Sequence, residues 1–214
     1  MRSRLRHLLV LPSVLTVGLL SAAAQEPPAD NLDEAASYNP ATLPRNSLAV
    51  YVGVYTTSFW LRSFSINEVG YEPNFVIAII STRDLITTSW GLRIGHESGI
   101  ALRFGREFSI ETWRGMTMSF SSELIGGTIV TPRLVLGMSS ISNPIGVEVE
   151  REAAVEGGDV DRLVYLGSEL ARSLVALPNL EVFYRLHHRS GAAHFWGNVA
   201  AGHNANGVGF RIWY

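Results

Sequence analysis

The chain contains no cysteine. That removes disulfides, thiolate metal sites and a cysteine nucleophile at once. Charge is scarce as well: 17% of residues are charged against 47% hydrophobic, a low charged fraction for a soluble domain. Lys and Arg total 17 and Asp and Glu 19, so there is no basic field to attract nucleic acid. The G-x-S-x-G elbow of soluble lipases, the H-E-x-x-H zinc signature, the P-loop and the EF-hand loop are all missing. Beyond the amino terminus, no apolar run reaches the roughly 18 residues that mark a transmembrane helix.

The amino terminus, MRSRLRHLLVLPSVLTVGLLSAAAQ, places Arg2, Arg4 and Arg6 before an apolar run from Leu8 to Leu20, then Ala22-Ala23-Ala24. This order predicts a cleaved signal peptide over 1–24 and an exported protein. A membrane anchor is the competing reading, disfavoured by a short core that Pro12 interrupts. The next stretch, rich in Pro, Asp and Ala, reads as a flexible periplasmic leader over 25–46.

From residue 47 to 214 the pattern is β throughout. Eight strands are predicted: Ser47–Phe59, Asn74–Thr82, Ser89–Gly95, Phe108–Phe120, Ile129–Ser139, Arg162–Ala176, Leu180–Ser190 and Asn204–Tyr214. Long and short connections alternate, with Leu177-Pro178-Asn179 a tight turn and Ile141–Asp161 long and acidic. Outer-membrane barrels have this rhythm of short periplasmic turns and longer outer loops. The expected fold is therefore all-β: an eight-stranded antiparallel up-and-down transmembrane β-barrel, integral to the cell outer membrane, its interior filled by side chains. A soluble lipocalin-like barrel is the alternative for the same pattern.

The final strand sets the facing. Val208, Phe210, Ile212 and Tyr214 share one face; Gly207, Gly209, Arg211 and Trp213 share the other. A lipid-facing apolar row opposite a lumen row carrying arginine is what a membrane strand with a period of two requires. On Leu180–Ser190 the apolar row is Val182, Tyr184 and Leu186, and it continues upward to His188 and Ser190. On the final strand the lipid-facing row begins at Asn204 and Asn206. His188, Ser190 and Asn204 are thus expected together on the outer wall near the outer leaflet. His187 falls on the lumen row unless a one-residue bulge swaps it with His188.

Polar residues there have two readings: solvation at headgroup level, or chemistry on a lipid. Two residues apart on one strand face, an imidazole and a hydroxyl lie roughly 7 Å apart at Cα. Histidine can then serve as general base and serine as nucleophile, with backbone amides just beyond holding an oxyanion. His96-Glu97-Ser98-Gly99 repeats the spacing on another lipid-facing row and is expected at an outer strand end. Periodicity does not choose between the pairs. The loop histidines His194 and His203 read as solvated, the acidic residues of 141–161 as a solvated outer loop, and Trp60, Trp90, Trp196 and Trp213 as interfacial girdle residues.

RLHHRSG, a glycine-rich stretch and then GHNANGVGFR before a terminal aromatic resemble the outer-membrane lipid A 3-O-deacylases of the PagL type and their acyloxyacyl-hydrolase-like relatives. NPIGVEVE followed by RLVYLGSELARSL is similar to the preceding loop and strand of that family. The likeness covers roughly Thr112 to Tyr214. It implies a serine esterase that removes an ester-linked 3-hydroxyacyl chain from lipid A. Ser190 would be the nucleophile, His188 the base, and the amides around Gly191 and Ala192 the oxyanion hole, with neither metal nor other cofactor. The family's orienting glutamate is replaced by Asn204, so weak activity is expected. Glu169, one strand earlier, is a poorer orienter because it lies at mid-strand level. The alternatives are a structural or adhesion-type barrel with a decayed triad and a soluble periplasmic lipid-binding barrel. A homodimer is left open.

Overall fold

A wall with lipid outside and packed side chains inside requires alternation in every strand, and the computed structural model carries that alternation around a closed sheet. It describes residues 39–214 other than 59, 65–68 and 125. The signal segment and the leader up to residue 38 lie outside the described residues.

The strands are β1 (Asn46–Thr56), β2 (Tyr71–Thr87), β3 (Leu92–Phe104), β4 (Phe108–Phe120), β5 (Ser122–Leu124), β6 (Thr128–Ile141), β7 (Arg162–Leu174), β8 (Leu177–Ser190) and β9 (Asn204–Trp213). β5 continues β4 past a break at Ser121, whose N–H bonds Gly91 O, so the nine segments form eight staves. Neighbours pair antiparallel, β4 pairs with β6, and β9 closes on β1 from Ser47↔Trp213 to Thr56↔Asn204. Closure leaves no unpaired edge, which a sheet in hydrocarbon requires. Leu48, Val50, Val52, Phe75, Ile77, Ile79, Leu134, Leu136, Phe210 and Ile212 stand outward and exposed. Apolar residues face outward on every stave, interrupted by Arg114 beside Ser98 at mid-wall and by Arg83 beside His96 lower down; such a surface is a membrane belt. Among the described residues no helix is long and apolar enough to cross a membrane.

Connections 57–70, 142–161 and 191–203 gather at one end; 88–91, 121–127 and 175–176 share the other with both ends of the barrel sequence. The short-turn end is periplasmic by the usual asymmetry. One connection departs from the expected rhythm. β3 runs to Phe104, well beyond the predicted Gly95, so its outer turn is only 105–107. His96-Glu97-Ser98-Gly99 hid that continuation. Glu97 points inward, and Gly99 faces the Trp113 ring so closely that a β-carbon there would lie 2.0 Å from Cζ2.

The lumen is filled by ion pairs. From the periplasmic end upward these are Arg93–Asp84 at 2.5 Å, Arg211–Glu181 at 2.8 Å, Arg133–Glu169, Arg185–Glu97 at 2.7 Å, and Arg103–Glu148 at 2.5 Å. Two expectations change here. Trp213 is not in an interfacial girdle: it is inside, with the Arg93 guanidinium 4.1 Å from its ring centre. The acidic connection 142–161 is not simply solvated either. It forms α1 (Val147–Ala153), and Glu148 is buried in the barrel mouth as acceptor from Arg103 and Arg189. Those two cations hold its carboxyl down to about 2, against the upward push of burial.

Candidate functional site

β8 ends His187-His188-Arg189-Ser190, and its inward members fix the facing of the outward ones. His187 Nε2 lies 3.0 Å from Glu111 Oε1 inside the lumen. Arg189 also points inward, with Nε donating to Ser139 Oγ at 2.6 Å, Nη2 to Val160 O at 2.6 Å, and Nη1 to Glu148. The register Gly167↔His187, Leu166↔His188, Tyr165↔Arg189 is continuous, so no bulge exchanges the histidines. His188 and Ser190 face outward, as the alternation requires.

His188 and Asn204 are direct partners in the β8–β9 ladder. A short hydrogen bond joins His188 Nδ1 to Asn204 Oδ1. The same amide donates from Nδ2 to the backbone carbonyl of Ser58 at 2.5 Å. Ser190 Oγ accepts from the Ala192 N–H at 3.1 Å. Among the described residues no hydrogen bond joins His188 to Ser190, and no carboxylate contacts His188. Glu169 is in the lumen on Arg133, Arg185 and Arg211.

The chain after Ser190 is unusual. Ala192, Ala193 and His194 have φ of 49°, 56° and 71°, a left-handed region that non-glycine residues enter rarely and at a cost of about 1–3 kcal/mol each. Surrounding bonds hold the turn: Trp196 N–H to Gly191 O at 2.8 Å, His194 N–H to Val199 O at 3.2 Å. Gly191 is pressed so close to the returning chain that a β-carbon would lie 1.8 Å from Val199 O. Of the two amides expected to form the oxyanion hole, that of Ala192 is turned onto Ser190 Oγ itself.

The site also carries a cover that the period of two along the strands does not predict. Outward Val182 and Val208 are 48% and 51% exposed, but Leu186 on the same rows is 0%, Asn206 7% and His188 8%. The first outer connection, with a 3-10 turn at Trp60–Phe64, folds down over them. Asn206 Nδ2 donates to Ser63 O at 2.9 Å, Thr56 Oγ1 lies 3.3 Å from Ser63 Oγ, and the Trp60 ring tilts over the His188 imidazole at 5.9 Å. The available signal was four polar residues, His188, Ser190, Asn204 and Asn206, on rows that are otherwise apolar.

The remaining candidates separate cleanly. His96 and Ser98 are outward, but His96 is opposite Arg83 and Met116, near the periplasmic start of β3; the expected outer position is corrected. His203 is not solvated: it is buried, Nε2 3.2 Å from Glu72 and Nδ1 3.1 Å from Arg103. Burial pushes its pKa down by more than Glu72 raises it. His194 is exposed, with Nδ1 on Asn198 O at 3.0 Å. Among the described residues no cluster of three His, Asp or Glu side chains is arranged to hold a metal ion. Arg151 on α1 reaches Gly202 O and, at 3.3 Å, Thr57 O, linking three outer connections.

A closed eight-stranded antiparallel barrel with an apolar belt is the architecture of integral outer-membrane proteins, and this chain is one. No protein-family model and no curated protein matches it. Solved structures similar to it include the outer membrane enzyme PagL, at 11% identity and a TM-score of 0.54 over 78% of this chain and 99% of that one. Neisserial surface protein A is 12% identical, with a TM-score of 0.49 over 79% and 97%. The attachment invasion locus protein Ail of Yersinia pestis is 9% identical, with a TM-score of 0.37 over 79% and 99%. At such identities the likeness is one of fold.

Proposed function

We propose that this barrel is an outer-membrane serine esterase that removes an ester-linked 3-hydroxyacyl chain from lipid A. The observation that carries the reading is the His188–Asn204 pair, joined directly across the β8–β9 ladder with Ser190 two residues above on the same outward row. The ester of an outer-leaflet glycolipid lies near that level. A shallow groove of about 540 Å³ lined by Val52, Val54, Phe75, Tyr184, Asn206 and Val208 runs along the wall below it, a surface suited to an acyl chain.

In this reading His188 Nε2 takes the Ser190 proton as Oγ attacks the acyl carbonyl. Backbone amides of the left-handed turn stabilise the oxyanion. His188 then protonates the departing sugar hydroxyl, and water repeats the cycle on the acyl-serine. The Ala192 N–H that holds Ser190 Oγ at rest must let go during attack.

The test is mass spectrometry of lipid A from a Gram-negative host carrying the protein, beside a Ser190→Ala control. Loss of one 3-hydroxyacyl chain with wild type alone supports the reading. Intact lipid A with well-inserted wild type sinks it as a working enzyme, and activity gained with Asn204→Glu then identifies a disarmed site. The absence of a His188–Ser190 hydrogen bond, together with the Trp60 cover, favours the second reading: a structural or adhesion-type barrel with a decayed triad. Failure of both forms selects it.

A further inference from the structure

Asparagine is a poor third member of a serine triad for a specific reason. A carboxylate can only accept from the imidazole, so it dictates the Nδ1–H tautomer and leaves Nε2 bare as the base. An amide can present either its oxygen or its NH₂. Presenting the NH₂ traps the opposite tautomer, with the proton on Nε2, and in a serine triad the loss is about 10⁴-fold in kcat. An amide works only when something outside the triad decides which way round it sits.

That group is present here. The Asn204 side chain lies between the His188 ring and the main-chain carbonyl of Ser58. A carbonyl oxygen has no proton to give, so the nitrogen of the amide must face Ser58 and its oxygen must face His188. The imidazole then has to donate from Nδ1. We propose that the Ser58 carbonyl is a positioning group that lets Asn204 stand in for a carboxylate, and that the first outer connection thereby forms part of the site it covers. This deepens the esterase reading and rests on it.

The carbonyl is held in place by contacts one step away from the triad. Asn206 Nδ2 bonds Ser63 O at 2.9 Å and Thr56 Oγ1 meets Ser63 Oγ at 3.3 Å, both on outward positions next to Asn204. They clasp the segment carrying Ser58 against β1 and β9, with Trp60 over the ring of His188. With the clasp closed the amide has one permitted orientation; with it open, water can serve either end and the amide is free to turn. The clasp thus governs whether Nε2 is bare. The arrangement has a cost, since the closed clasp also covers His188. Substrate must reach Ser190 past the Trp60 edge without freeing Ser58.

The experiment reads the tautomer directly, by ¹⁵N imidazole spectroscopy of the full-length barrel in nanodiscs at neutral pH, with His188 assigned by subtraction of a His188→Gln sample. Wild type is expected to carry the His188 proton on Nδ1. Thr56→Val combined with Asn206→Ala, which opens the clasp, is expected to spread the proton over both nitrogens and to lower esterase kcat at least about tenfold, within the wrong-tautomer limit. Adding Asn204→Asp should return the proton to Nδ1, because a carboxylate needs no orienting. Asn206→Val, which places an apolar residue on a lipid-facing row, replaces the double variant if that fails to insert. A wild-type proton on Nε2, or a tautomer unmoved by opening the clasp, overturns the proposal. The readout needs no substrate. If the tautomer responds as expected and no ester is cleaved, the esterase reading fails by itself; if ester is cleaved and the tautomer does not respond, the positioning role fails by itself.

Discussion

Arg185 on β8 forks onto Glu97 on β3 across the lumen, Nη1 to Oε1 at 2.8 Å and Nη2 to Oε2 at 2.7 Å. The two strands are not neighbours in the wall, so the pair is a crossbar. Glu97 also accepts from Trp113 Nε1 at 2.9 Å, and Arg185 also binds Glu169. Removing Glu97 leaves the buried Arg185 guanidinium only Glu169, a carboxylate that Arg133 and Arg211 already use, so the lumen is one negative charge short. Glu97→Leu is expected to destabilise the barrel by about 3–5 kcal/mol, read as the shift of the urea unfolding midpoint in vesicles or as lost heat-modifiable gel migration. Replacing both, with Glu97→Leu and Arg185→Met, should recover most of that loss.

Two His-x-Ser pairs stand on the outward face, and only the upper one is at the outer-leaflet end. Ser190→Ala should abolish ester hydrolysis, a drop of about 10⁴-fold or more, with the barrel still inserted. His96→Ala and Ser98→Ala, in the lower half and at the middle of β3, should leave the rate unchanged. Parallel assays on one glycolipid check this; a loss in the His96 or Ser98 variants would move the chemistry to the other pair.

Gly191 is where the turn after Ser190 has no spare room. Its φ lies outside the positive range, so any harm from Gly191→Ala comes from the clash with Val199 O. Relief requires the Gly191–Val199 contact to open, which displaces the left-handed turn and its amides. A shift of about 1 Å at a reacting group costs on the order of 10²-fold. The expected outcome is that loss of kcat with unchanged gel migration and unfolding midpoint.

Acid should loosen the outer mouth before the wall. Glu148 titrates at about 2 in the folded chain, below the roughly 4.3 of an unperturbed glutamate. Its contribution is full above 4.3 and is lost as pH falls through that window. His203 is also shifted down, held neutral by burial, so folding opposes its protonation and its contribution fades once pH drops below its ordinary value of about 6.5. Both signs agree. Limited proteolysis of 142–161 from pH 7 to pH 3 should show that connection becoming cleavable as pH falls, with β-sheet circular dichroism retained. Cleavage independent of pH would count against Glu148 as the plug.

The eight staves, their facing and the outward placement of His188, Ser190 and Asn204 were legible because a lipid-facing wall enforces a period of two along every strand. His187 was assignable to the lumen for the same reason. The features that the sequence hides are those that break the period. The upper half of β3 was obscured by polar His96 and Ser98 on the outward row, next to a glycine that makes room for Trp113. Long-range polar contacts were equally hidden: a buried Glu148 and a solvated one look alike in a charged stretch, and His203 gave no sign of Glu72 or Arg103. The clasp over His188 was invisible because the Asn204 and Asn206 amides bond the main-chain carbonyls of Ser58 and Ser63, which carry no sequence signature, and the remaining bond joins two ordinary hydroxyls, those of Thr56 and Ser63.

The filled lumen makes this protein a post rather than a passage. With Arg185, Arg211, Glu169 and Glu181 packed from wall to wall, whatever meets His188 on the proposed reading arrives sideways within the leaflet and departs the same way. Supply is then two-dimensional. The rate would follow the mole fraction of the target among its neighbouring lipids, and enlarging the aqueous volume would leave it unchanged.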